Sequence, residues 1–225
     1  MNGRSLLLLA AIVAGASYMA SWGHGLPPAV DIAWKGAGVA FLALYAASRA
    51  RNLDGWLLAV VMALGAAGDV LLETHGLTVG ALAFLTGHLV AIWLYLRNRR
   101  PSLGGVDWLV AGLLVPTTVA IAFALPADRA GAPGIALYAL GLSAMAAGAW
   151  LSRFRRDRVA AGALMFLVSD LLIFARAGAL HGQPWINDAV WILYFAGQTL
   201  VCTGVVEALA RRTGDDPIRL QPESL

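Results

Sequence analysis

The chain has 225 residues, of which 60% are hydrophobic, and its 13% charged residues compare with about 25% in a soluble domain. Its net charge is +3 and its mean hydropathy +0.73. These values exclude a soluble enzyme and leave no room for a soluble domain of any size. Apolar runs of roughly 18–20 residues recur along the whole length, which predicts an all-α, polytopic membrane protein. A transmembrane barrel would show short alternating segments instead.

Eight spans are predicted, at about 5–22, 30–48, 55–73, 78–96, 106–125, 134–151, 159–177 and 187–209. The first follows a lone Arg4 and has the charge and apolar core of a signal peptide. It lacks a clear small-x-small cleavage site, and another span follows at once, so a retained helix is expected. The second span starts after Pro27-Pro28 and carries Lys35. Pro116 is expected to kink the fifth. Residues 1–212 form the transmembrane domain on this reading, and 213–225 a polar cytoplasmic tail.

The pI is near 9.4, yet no nucleic-acid partner is expected, because the basic residues sit in short loops between spans. Arg4, Arg49, Arg51, Arg97, Arg99, Arg100, Arg153, Arg155, Arg156, Arg158, Arg211, Arg212 and Arg219 fall on one side. That is 13 of the 16 basic residues. By the positive-inside rule this side is cytoplasmic and holds both termini. The inner (plasma) membrane of a bacterium is the expected location. The single cysteine, Cys202, rules out an intrachain disulfide and a cysteine metal cluster.

Polar residues inside the spans are the candidate site. A carboxylate at mid-depth costs about 2.5–3.5 kcal/mol on insertion scales, so its default reading is functional. Asp170 lies near the middle of the seventh span, beside Ser169. Asp69 lies about 14 residues into the third, roughly 20 Å deep at 1.5 Å per residue. Glu73 follows one turn later, and Lys35 enters from the same outer side. His88 is near the middle of the fourth span, Tyr138 is in the sixth, and Tyr194 and Gln198 share a face of the eighth. Such similar depths predict one polar pocket open toward the outer half of the bundle.

Each residue also has a plainer reading. Asp69 and Lys35 form a structural ion pair, or Glu73 sits at the outer interface. His88, Tyr138 and Tyr194 are packing residues with satisfied polar atoms. Ser169 bonds back to its own helix, and Gln198 ties helices together. The eight Trp, mostly near span ends, are read as interfacial anchors. GALAFLTGH at 80–88 echoes GALMFLVSD at 162–170 and sets His88 opposite Asp170. No other expectation rests on that echo.

GDVLLE in the third span, FLTGH in the fourth, GALMFLVSDLLIFAR in the seventh and WILYFAGQTLV in the eighth together resemble the YhhN family of membrane proteins. The resemblance extends over nearly the whole chain. It departs at Gly36, which follows Lys35 where a proline is expected. The family includes the lysoplasmalogenases. The resemblance therefore implies hydrolysis of the vinyl ether bond of lysoplasmalogens, giving a fatty aldehyde and a glycerophosphoethanolamine or glycerophosphocholine. That reaction needs a carboxylic acid and a carboxylate, and Asp69 and Asp170 are the candidates, with either in either role. Lys35, Glu73, His88, Tyr138, Ser169, Arg176, Tyr194 and Gln198 are candidate substrate contacts. Lys35 or Arg176 would meet the lipid phosphate. The partners implied are a lysophospholipid and the bilayer, and neither a metal nor another cofactor is expected. A lipid carrier without hydrolytic activity is the rival reading. A retinal protein would need a late-helix lysine, and Lys35 is the only lysine.

Overall fold

The computed structural model describes residues 3–213, so the expected tail lies, beyond Thr213, outside the described residues. All eight predicted spans are helices long and apolar enough to cross a membrane. They are α1 (Gly3–Ser17, extended by a 3-10 turn at Tyr18–Ser21), α2 (Pro28–Arg49), α3 (Leu53–His75) and α4 (Leu77–Arg97). The second half comprises α5 (Gly105–Ala124), α6 (Ala132–Leu151), α7 (Ala161–Arg176, entered through a π turn at Arg156–Ala160) and α8 (Ile186–Thr213). No strand occurs among the described residues.

The helix ends follow from local chemistry. Pro28 opens α2, where its missing N–H costs nothing. Asn52 caps α3 by accepting the Gly55 N–H at 3.0 Å. Between α3 and α4 stands Gly76 alone, at φ +83°, which is why a glycine closes this tightest of the connections. Helix α5 continues as one helix through Pro116.

The helices pack through small residues and rings. A Cβ on Gly162 would fall 2.6 Å from the Gly197 carbonyl oxygen, and one on Gly197 equally close to that of Gly162. The α7 and α8 backbones thus touch, as small-residue interfaces allow in lipid. Helix α1 is fastened into the bundle by Trp191, whose indole N–H donates to the Gly15 carbonyl at 2.8 Å. Trp34 donates to the Ser17 hydroxyl at 3.1 Å. Trp191 corrects the reading of the tryptophans as interfacial anchors, because it is buried and stacks on Phe195. Its N–H has a carbonyl partner, which is what lets an indole sit in a core.

One end of the bundle is tied by Asn98, whose side chain is fully buried. Its amide donates to Asp54 at 3.0 Å and to the Leu94 carbonyl at 2.8 Å. Its side-chain oxygen accepts from Arg153 at 2.7 Å and Arg212 at 3.0 Å. The start of α3 and the ends of α4, α6 and α8 therefore lie together. At the other end, Ser21 donates to Asp31 at 2.8 Å and Ala127 N–H donates to the Ala177 carbonyl at 3.2 Å. The arginine-rich loops share one end of the bundle, opposite the Ser21–Asp31 and Ala127–Ala177 contacts. Reporter fusions at Gly76, Ala130 and Gly182 are expected to report the outer side, and fusions at Asn52, Gly104 and Arg155 the cytoplasm. A consistent reversal would overturn that orientation.

Candidate active site

The polar side chains of α2, α3, α4, α6, α7 and α8 meet in three groups. The first is at the end of the bundle away from the arginine-rich loops. Lys35 donates to Glu73 at 2.5 Å, and the pair is partly open, with side-chain exposures of 16% and 44%. The cation that the plainer reading pairs with Asp69 takes Glu73 instead, one turn further along α3. Glu73 lies closer to the helix end, where a carboxylate and an ammonium keep some water and pair with little desolvation.

Asp69 stands in the second group, 2% exposed. The Tyr194 hydroxyl of α8 donates to its carboxyl at 2.8 Å. Gln198, one turn along α8 from Tyr194 and also buried, sits against the same hydroxyl with its amide. The two four-apart residues of α8 thus act on one carboxyl of α3, in series.

Asp170 anchors the third group. The Tyr138 hydroxyl of α6 donates to it at 2.6 Å, and the same oxygen lies 3.1 Å from His88 Nε2 of α4. His88 and Asp170, set opposite one another by the sequence echo, are joined by one phenol.

Rings pack around the second and third groups, whose carboxyl groups are buried. Phe166 meets His88 at 5.2 Å and Tyr194 at 5.1 Å between centroids, both edge to face. Phe84 packs on Phe166 and Tyr194, each at 5.9 Å. Neither phenylalanine was a candidate on sequence grounds, although a signal was present. Phe84 precedes His88 by four residues and Phe166 precedes Asp170 by four, so each shares a helix face with a site residue. Between His88, Gln198, Phe84 and Phe166 lies a cavity of about 30 Å³, room for a water molecule.

Two candidates tie α7 to α8. The Ser169 hydroxyl donates across to the Val190 carbonyl of α8 at 2.9 Å, rather than to its own helix. This bond fixes the height of Asp170 against Tyr194. Arg176 is exposed and donates to Asn187 at 2.6 Å, closing the turn between α7 and α8. Among the described residues, no three His, Cys, Asp or Glu side chains group as metal ligands do.

Fold and site together define an eight-span helical membrane protein with two carboxyl groups buried in its core, each held by a phenol. The family model of YhhN matches residues 30–205, from the start of α2 to the last third of α8, and the chain belongs to the YhhN family. No curated protein and no solved structure matches it.

Proposed function

We propose that this protein is a lysoplasmalogenase-type hydrolase, which adds water across the vinyl ether of a lysoplasmalogen. The observation that carries the reading is the pair of buried carboxyl groups, Asp69 and Asp170, with opposite hydrogen-bond surroundings in a YhhN-family core. Behind the phenol on Asp170 stands an acceptor. When Asp170 is protonated it donates to the Tyr138 oxygen, and Tyr138 in turn donates to His88 Nε2. Behind the phenol on Asp69 stands the Gln198 amide; with its N–H turned to the Tyr194 oxygen, the Tyr194 proton is left for Asp69. A neutral acid is therefore satisfied at Asp170 and a carboxylate at Asp69.

The chemistry follows from that asymmetry. Asp170 gives its proton to the alkenyl carbon remote from the ether oxygen. The positive charge that develops on the adjacent carbon and oxygen faces the carboxylate of Asp69. Asp69 takes a proton from the water that attacks this carbon, leaving a hemiacetal. The hemiacetal collapses as Asp69 returns its proton to the glycerol oxygen and the hemiacetal hydroxyl proton passes to Asp170. One water is consumed, a fatty aldehyde and a glycerophospho-alcohol leave, and both carboxyl groups end as they began. The lipid phosphate takes the place of Glu73 on Lys35 at the outer end, and the single chain reaches the site laterally between helices.

Purified protein is expected to release aldehyde from a vinyl ether lysolipid, and none from its saturated alkyl ether or ester counterparts. Binding of all three without turnover would instead make it a carrier. Tyr138→Phe leaves the Asp170 proton without an acceptor, a loss of about 1–3 kcal/mol for a buried polar group. It should lower kcat roughly 10–100-fold with little change in KM. An unchanged kcat in folded Tyr138→Phe would remove Asp170 from the acid role.

A further inference from the structure

The arginines at the basic end of the bundle divide into two sets. Arg97 pairs with Asp54, Arg100 and Arg156 with Asp107, Arg155 with Asp157 and Arg158 with Glu207. Arg153 and Arg212 converge on Asn98, and Arg99 lies over the Trp108 ring. Of the arginines with none of these partners among the described residues, Arg4, Arg49 and Arg51 stand together.

These three come from different segments, the start of α1, the end of α2 and the α2–α3 connection, yet they line one cavity of about 270 Å³ against the last turns of α8. Three guanidinium groups gathered with no counter-ion among the described residues repel one another, so the cavity favours an anion. A second cavity of about 320 Å³ shares Arg4 and Arg49 with the first. It runs along the outside of α1 and α2 over Leu8, Ile12 and Tyr45. An anion site that continues into an apolar groove on a membrane-facing surface has the form of a phospholipid, with charge at one end and hydrocarbon at the other. A soluble anion would use only the first half.

From this we infer that Arg4, Arg49 and Arg51 hold the phosphate of one anionic glycerophospholipid, whose acyl chain lies in the groove of Leu8, Ile12 and Tyr45. The lipid belongs to the leaflet at the basic end of the bundle. It is not the substrate proposed above, whose headgroup contact, Lys35, is at the opposite end. It clamps α1 to α2 and to the α2–α3 connection from outside the bundle.

The test uses the full-length protein in detergent, titrated with phosphatidylglycerol or with phosphatidylcholine of the same chains, and counts bound lipid by native mass spectrometry. One phosphatidylglycerol should be retained with at least a ~tenfold preference over phosphatidylcholine. Arg4→Gln, Arg49→Gln and Arg51→Gln should each weaken it about fivefold, the scale of one arginine near a membrane surface. Arg211→Gln, at the same end but outside both cavities, should leave it unchanged. Ile12→Trp fills the groove and should also weaken retention. Equal retention of the two lipids by the wild type would overturn the inference. So would single Arg→Gln variants that match the wild type, or inorganic phosphate that displaces the lipid at equal concentration.

Discussion

Asp170→Asn is expected to lower turnover of a vinyl ether lysolipid at least ~100-fold, within the usual range for losing a general acid. Asparagine keeps the volume of the side chain and can still accept the Tyr138 hydroxyl at the position where Asp170 accepts it at 2.6 Å. It has no proton to give to carbon. Asp69→Asn should cost a similar factor through the other half of the reaction, because an amide neither draws a proton from water nor faces a developing cation. The two residues act in one cycle, so the double variant should be little slower than either single one. Folding should survive in all three, because a neutral amide in a membrane core carries a smaller desolvation cost than a carboxylate. The structure also weakens the competing account of Asp69 as the counter-ion of Lys35. Lys35 already has Glu73 at 2.5 Å, so Asp69→Asn strands no cation. A purely structural Asp69 would lower the melting temperature and reduce activity only in step with folded protein. Measuring both on the same purified samples separates the two accounts, and near-normal kcat in well-folded Asp170→Asn would remove the proposed mechanism.

The spans could be read from the sequence because the bilayer imposes one length and one composition on every helix, and because the arginines alternate in step with them. The depth of each polar group followed from the same count. What the sequence left open was the pairing, which depends on how helices rotate about their axes. Asp69 and Glu73 share a face of α3, and only the crossing with α2 decides which of them Lys35 meets. Tyr138 lies on α6, and nothing along its own helix ties it to Asp170 or His88. The bridging phenol is a property of three helices at once. Trp191 shows the same limit, because its place near the start of α8 reads as interfacial while its ring is turned inward onto α1. Phe84 and Phe166 were recoverable from their spacing to His88 and Asp170. They were missed because phenylalanine in an apolar helix carries no signal of its own.

Gly197→Ala is expected to be among the most damaging single methyl groups that can be added near the site. Its Cβ would lie 2.6 Å from the Gly162 carbonyl oxygen and 3.2 Å from the Phe166 nitrogen, and both are backbone atoms that cannot rotate away. Relief requires α7 and α8 to move apart. Overpacking of this kind costs about 1–3 kcal/mol, and at a backbone contact the upper part of that range applies. The same movement stretches the Ser169 bond to Val190 and shifts Asp170 relative to Tyr194, so kcat should fall more than the loss of folded protein explains. Gly112→Ala on α5 is the matched control, since a Cβ there meets nothing within 4 Å. Its higher helix propensity, worth up to about 1 kcal/mol, should leave the melting temperature unchanged or slightly raised. If Gly197→Ala melts and turns over like Gly112→Ala, the close α7–α8 crossing is not what holds the two carboxyl groups in register.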